Sequence, residues 1–168
     1  MNHKLLSIYL NDHYAGSMGG LELVRRSAGA NEGTEFGPFL SKLAEEFAYD
    51  REALGDLMDK LDVSRDRVKV GVFWVAEKAG RLKLNGSLTG YSPLSRVVEL
   101  EGLTIGIRGK LSMWEILEEI AIEDHRLADF DLKRLSERAE DQLAGLTPYR
   151  LRAGRLALAD SSAQPPLS

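Results

Sequence analysis

The clearest hydrophobic pattern in the chain lies between residues 35 and 61, where core-type positions recur at alternating steps of four and three. This spacing keeps every position on one face of a helix and is typical of the buried seam of a helix bundle. One of the eight positions carries a carboxylate, and the other seven are apolar. The positions are Phe36, Leu40, Leu43, Phe47, Asp50, Leu54, Leu57 and Leu61.

Three further segments carry apolar residues at helical spacing. Together with the seam they predict helices over about 2–29, 35–61, 94–121 and 129–157. The segment over 94–121 is apolar on two faces, so we expect it to be the most enclosed of the four helices.

Two groups of glycines interrupt the first and third predicted helices. A glycine inside a helix costs up to about 1 kcal/mol relative to alanine, so each group is expected where another backbone passes close by. The groups are Gly16, Gly19 and Gly20 in the first helix and Gly102, Gly106 and Gly109 in the third.

The second and third helices are separated by a connection of about thirty residues, 62–93, which contains a predicted short helix over about 65–79. The C-terminal residues 156–168 are small, polar and proline-containing, and we expect them to be disordered. The predicted domain therefore covers residues 1–155. Its fold class is an all-α four-helix bundle with one long crossover connection.

Composition narrows the classes of function. The chain has 168 residues, of which 43% are hydrophobic and 29% charged, as expected of one soluble globular domain. It has no cysteine, which excludes disulfides, thiolate metal sites and thiol catalysis. The net charge of -4 argues against nucleic-acid and polybasic membrane contacts. Because there is neither a secretory signal nor an apolar stretch long enough to span a membrane, we expect a cytoplasmic location.

Asp50 is the residue that most needs a chemical explanation, because burying an unpaired carboxylate costs several kcal/mol. Its partner could be a cation, a hydrogen-bond donor, a shared proton or a metal. Glu101 and Arg108, seven residues apart in the third helix, share the strip between its two apolar faces. We therefore predict a buried ion-pair network of Asp50, Glu101, Arg108 and either His13 or Arg51.

The helix count, the crossover between the second and third helices and the acids near the middle of the helices resemble the ferritin-like superfamily. The resemblance covers about residues 1–155. Within it, the stretch GRLKLNGSLTGYSPLSRVVELEGL resembles a bacterial group of ferritin-like proteins that lacks the usual Glu-x-x-His ligands.

Di-iron bundles of that superfamily use a Glu from each of two helices and a Glu-x-x-His pair from each of the other two. The resemblance implies that the corresponding acids here are Asp12, Glu46, Glu101 and Glu137. The two histidine positions are filled by Tyr49 and Glu140. His13 is the one histidine placed in the middle of a predicted helix.

Because both histidines are replaced, we expect a ferritin-like bundle without ferroxidase chemistry or cofactor, with a structural, binding or stress-associated role. No nucleotide-binding or hydrolase motif is present, which favours a protein that is not an enzyme. The alternative is a carboxylate-rich metal-binding protein or di-metal oxidoreductase, with Fe, Mn or another divalent metal. Its candidate ligands are Asp12, Glu46, Asp50, Glu101 and Glu137.

Two further expectations concern apolar surfaces. A small molecule or a partner helix could bind to the apolar faces that contain Phe73, Trp74 and Trp114, although aromatic residues at helical spacing are more often core residues. The two apolar faces of the third helix predict self-association as a homodimer or a higher homo-oligomer.

Overall fold

The computed structural model describes residues 2–65 and 91–159. Within those ranges the chain forms four long helices, a 3-10 turn and no strand, in agreement with the predicted all-α four-helix fold. The helices are α1 (His3–Ala30), α2 (Gly37–Lys60), α3 (Pro93–Ala121) and α4 (Leu132–Leu158). The predicted short helix over 65–79, with Phe73 and Trp74, lies outside the described residues.

The seam of α2 faces the core along its whole length. All eight of its positions are buried, and the side chain of Asp50 is buried as deeply as its apolar neighbours, with 5% of the residue exposed. A short turn joins α1 to α2, and Gly33 adopts a φ of 75 there, a left-handed conformation that favours glycine. The two helices are therefore antiparallel neighbours.

The starts of α3 and α4 are set by side-chain caps. The hydroxyl of Ser92 accepts a hydrogen bond from the backbone N–H of Ser95 at 3.0 Å, ahead of the first turn of α3. Asp131 accepts one from the N–H of Arg134 at 3.1 Å, so α4 begins at Leu132, three residues after the predicted start. A 3-10 turn, His125–Leu127, occupies the preceding connection.

α4 continues to Leu158, so residues 156–158 of the predicted disordered tail are helical. The last nine residues of the chain, 160–168, lie outside the described residues.

Contacts at the two ends of the bundle give the helix directions. The guanidinium of Arg96, near the start of α3, lies 4.4 Å from the ring centroid of Phe36, just before α2. At the other end, Lys60 Nζ lies 2.6 Å from a carboxylate oxygen of Asp129, between α3 and α4. Helices α2 and α3 are therefore parallel. The end of α2 and the start of α3 lie at opposite ends of the bundle, as in bundles with one long crossover.

The expectation that the third helix is the most enclosed is wrong for one of its two apolar faces. The face containing Leu103 and Trp114 is buried, but Ile105 and Ile116 on the other face are 54% and 47% exposed. The described parts of the neighbouring helices cover one face of α3, because the bundle places α3 between α1 and α4. None of the helices in the described residues has the length and apolarity needed to cross a membrane.

Candidate functional site

Asp50 lies near the middle of the bundle and pairs with two cations from two other helices. Lys110 of α3 donates a hydrogen bond to its Oδ2, and the Nε of Arg138 of α4 lies 3.1 Å from its Oδ1. The amide of Gln142 also donates to Oδ2, at 3.0 Å, and its own oxygen accepts from Lys110 at 2.5 Å. We refer to Asp50, Lys110, Arg138 and Gln142 as the Asp50 cluster.

Aromatic rings cover the two cations of the Asp50 cluster. Lys110 Nζ lies 4.5 Å from the ring centroid of Phe47, and the guanidinium of Arg138 lies 3.9 Å from that of Tyr49. Burial lowers the pKa of Lys110 from its ordinary value, because the ammonium group has lost water, while the carboxylate of Asp50 opposes this shift. The cluster is therefore an ion-pair network largely removed from solvent.

The acids implied as metal ligands do not come together. Asp12, Glu101 and Glu137 are exposed, and Glu46 is half-buried. Among the described residues there is no group of three or more acidic or histidine side chains that could hold a metal ion. The remaining acid, Asp50, is already compensated by two cations, which would repel a third. The side chains present therefore do not fit the di-metal centre that the ferritin-like resemblance implies.

The partners of Asp50 differ from those expected from sequence. Glu101 and Arg108 lie at exposed positions of α3, and the residue of that helix that reaches Asp50 is Lys110. Two residues correspond to about 200° of rotation around a helix, so Arg108 and Lys110 face nearly opposite directions. His13 is half-buried on α1, where burial lowers its pKa and so favours the neutral ring.

A second buried acid, Glu99, was not identified from sequence. Arg26 Nη2 lies 3.0 Å from its carboxylate, and the hydroxyl of Tyr91 donates to it at 2.9 Å. The side chain of Asn31, at the end of α1, donates to Tyr91 at 2.8 Å and accepts from Arg96 at 2.5 Å. This network joins the end of α1 to the start of α3. Each of its polar side chains pairs with another member of the network.

A cavity of about 450 Å³ lies beside the Asp50 cluster, between α1, α2 and α3. This volume is within the usual range for small-molecule sites, about 300–1,000 Å³. The apolar part of its wall is formed by Ala15, Phe47, Leu54, Ile105, Met113 and Trp114. The polar side chains in its wall are Asp12, His13, Ser17, Asp50, Arg51 and Lys110.

Glycines line the open side of this cavity. A Cβ atom added to Gly16, Gly106 or Gly109 would meet no atom of the described residues within 4 Å. All three positions are exposed, so these glycines form the mouth of the cavity. The expected close approach is found at Gly20 and Gly102, where a Cβ would lie 3.2 Å from a side chain of a neighbouring helix. At Gly16, Gly106 and Gly109 the expected close approach is not found among the described residues, because the missing side chains leave open space there.

Comparison of the chain with protein-family models, with curated proteins and with solved structures finds no match.

Proposed function

We propose that this protein is a non-enzymatic four-helix bundle of ferritin-like topology that binds a small, largely apolar molecule between α1, α2 and α3. The observation that carries the proposal is the cavity of about 450 Å³ with glycines at its mouth. Interior glycines destabilise a helix by roughly 0.8–1.0 kcal/mol each relative to alanine. Since no other described helix approaches Gly16, Gly106 or Gly109, an open route into the cavity accounts for their use.

The Asp50 cluster supports a binding role rather than ferroxidase chemistry. In a ferritin-like di-iron centre the buried carboxylates neutralise metal ions, whereas Lys110 and Arg138 neutralise the buried carboxylate here. A divalent ion would have to displace these cations from a site of low polarity, which is unfavourable. We therefore propose that the fold requires no metal cofactor.

Metal content and thermal stability test this second part of the proposal. Protein purified without added metal should contain less than one equivalent of Fe, Mn or any other divalent metal per chain. Its melting temperature should be unchanged by EDTA, because the cations that balance Asp50 are side chains. A stoichiometric metal whose removal lowers the melting temperature would instead support the alternative, a carboxylate-rich metal-binding protein or di-metal oxidoreductase.

Binding of a neutral fluorescent probe tests the cavity itself. N-phenyl-1-naphthylamine carries no charge and increases in fluorescence in apolar surroundings, so its titration reports the cavity without electrostatic bias. We expect saturable binding of one probe per chain. Gly109→Leu should weaken binding by about tenfold, or about 1.4 kcal/mol, because the new side chain extends from the cavity mouth.

Gly154→Leu is the matched control for this experiment. Gly154 lies in α4, outside the cavity wall, and a Cβ there also meets no described atom within 4 Å. Both substitutions should raise helix propensity by a similar amount. A difference in probe affinity between the two variants would therefore come from the place of the new side chain relative to the cavity. Absence of saturable binding to the unchanged protein would contradict the proposed function. If both variants bind the probe equally well, the assignment of the probe's binding site to this cavity is contradicted.

Self-association stays a prediction. The exposed Ile105 and Ile116 on α3 are apolar side chains of the kind that subunit contacts bury. We expect sedimentation velocity to show a homodimer or a higher homo-oligomer, and a monomer at every concentration would contradict this expectation.

A further inference from the structure

We infer that the cavity selects uncharged molecules and rejects both carboxylates and amines of the same size, because the charges around it balance one another. This inference rests on the proposed function and adds the chemical class of the ligand. It depends on the charged side chains of the cavity wall, whereas the proposed function depends on the open space.

The wall of the cavity contains equal numbers of acids and cations. They are Asp12, Asp50, Arg51 and Lys110. His13 is the other titratable side chain of the wall, and burial lowers its pKa, which favours the neutral ring at pH 7. The wall formed by the described residues therefore has no net formal charge at neutral pH.

The charges immediately behind the wall are balanced as well. Lys110 and Arg138 both pair with Asp50. Burial lowers the pKa of Lys110, whereas the charges of Asp50 and of the half-buried Glu46 raise it, so Glu46 adds a second negative charge near the two cations. The other partner of Glu46 is the exposed Lys42, whose charge is screened by water. An ionic ligand of either sign would therefore meet attraction and repulsion of similar size.

The polar groups of the wall offer little to a charged head group. The hydroxyl of Ser17 already donates to the backbone oxygen of Tyr14 at 2.7 Å, and the guanidinium of Arg51 lies 4.6 Å from the ring centroid of Tyr14. The indole N–H of Trp114 and the Nε of Arg51 have almost no accessible surface, so a bound molecule cannot reach them. A charged group that leaves water without gaining a matched partner loses several kcal/mol.

The rest of the wall favours an apolar ligand. Phe47, Leu54, Met113 and Trp114 are buried core residues, and Ile105 lies at the edge of the cavity. Apolar surface removed from water contributes about 25 cal/mol per Å² whether or not the ligand is charged. Since a charge adds a cost and no matching gain, the ligand class is an uncharged aliphatic or aromatic molecule.

Displacement of N-phenyl-1-naphthylamine by three eight-carbon probes tests the inference on the full chain. The probes are octanamide, sodium octanoate and octylammonium chloride, used at pH 7 and below their micelle concentrations. Octanamide has the shape of octanoate without its charge, so the comparison isolates the charge. We expect octanamide to displace the fluorescent probe at a concentration about tenfold or more below that of either ion.

Two variants that unbalance the wall should shift this preference in opposite directions. Asp12→Asn leaves one cation in excess, so octanoate should bind about threefold more tightly relative to octanamide at low ionic strength. Arg51→Gln leaves one acid in excess and should strengthen octylammonium relative to octanamide by a similar factor. The double variant restores the balance, and its preference should return to that of the unchanged protein.

Glu115→Gln and Arg108→Gln are the matched controls. They make the same changes of charge at exposed positions of α3 outside the cavity wall. Neither should alter the order of the three probes. A shift as large as that of the wall variants would assign the effect to the net charge of the protein and overturn the role of the wall.

The outcomes separate the inference from the proposed function. If octanoate or octylammonium displaces the fluorescent probe as well as octanamide does, the cavity binds apolar molecules and the selection against charge is overturned. The same holds if Asp12→Asn and Arg51→Gln leave the preference unchanged or shift it in the same direction. If the fluorescent probe does not bind to the unchanged protein, the proposed function itself is overturned, and the inference with it.

Discussion

Replacing Asp50 with alanine is expected to lower the free energy of unfolding by about 3–5 kcal/mol, because it leaves buried cations without their carboxylate. The side chain of Lys110 is 17% exposed and that of Arg138 is 26% exposed, so neither is fully solvated in its present position. Urea unfolding followed by far-UV circular dichroism measures the loss. An average substitution costs about 1 kcal/mol. A loss smaller than that would contradict this account of the cluster.

Two comparisons distinguish a buried pair from a surface charge. Glu137→Ala removes an exposed acid 3.8 Å from Lys133 and should cost less than about 0.5 kcal/mol. Asp50→Leu combined with Lys110→Met should regain much of the loss caused by Asp50→Ala, because apolar side chains can replace a buried pair at little cost. Arg138 is the more exposed cation of the cluster and can turn toward water in that double variant.

The instability of Asp50→Ala should also depend on pH. Burial lowers the pKa of Lys110 and Asp50 opposes this effect, so removing the carboxylate lowers the pKa further. The unfolded chain then binds a proton that the folded protein does not. Stability consequently rises with pH between the lowered pKa and the ordinary lysine value of 10.5. The difference in stability between variant and unchanged protein should therefore narrow as the pH rises from the Lys110 pKa of the variant to that of the unchanged protein, which itself lies below 10.5. A difference independent of pH would show that Lys110 is not the uncompensated group.

The burial of Asp50 could be predicted because spacing alone places it on the seam of α2. Seven apolar neighbours at steps of four and three leave one orientation for that helix, and all eight positions are buried. The four helices follow from the same kind of periodicity. A partner for Asp50 was also predictable, since an isolated carboxylate is too costly to bury.

The identity of that partner could not be predicted because α3 is apolar on two faces. Either face could be the core face, and the choice decides which charged residues point inward. The core-facing stripe runs at steps of four and three through one acid, one lysine and four apolar residues. Its members are Glu99, Leu103, Ile107, Lys110, Trp114 and Leu117. Glu101 and Arg108 lie on the exposed side. A search for charged residues on each possible stripe would have identified both Glu99 and Lys110.

The cavity was beyond prediction for a different reason. A glycine in a helix can allow a neighbouring helix to approach, or it can leave a gap, and sequence does not distinguish the two. Gly20 and Gly102 allow an approach, while Gly106 and Gly109 leave a gap. The difference depends on the relative positions of α1, α2 and α3, which no local pattern in one helix specifies.

Replacing Trp114 with alanine is expected to lower the free energy of unfolding by about 3–5 kcal/mol. Trp114 is among the largest side chains that are fully buried, and it also forms part of the cavity wall. The space left by the indole would join the existing cavity instead of being filled by neighbouring side chains. Among truncations of buried side chains, those that leave a large residual cavity destabilise a protein the most. Urea unfolding measures the loss.

Ile116→Ala provides the control on the same helix. Ile116 is 47% exposed, so its truncation removes little buried surface and should cost less than about 1 kcal/mol. If the two variants lose similar stability, Trp114 does not have the packing role described for it. The loss of stability caused by Trp114→Phe should lie between the losses caused by Trp114→Ala and Ile116→Ala, because the remaining ring fills most of the indole volume.

Ligand binding provides a further test of where the space created by Trp114→Ala lies. A molecule that binds the folded state alone stabilises it by about 2.7 kcal/mol at one hundred times its dissociation constant. Apolar cavities created by truncation can bind neutral aromatic molecules. Near-saturating N-phenyl-1-naphthylamine should therefore restore a large part of the stability lost in Trp114→Ala. Failure of the probe to stabilise that variant, when it stabilises the unchanged protein, would mean that the new space is not continuous with the ligand cavity.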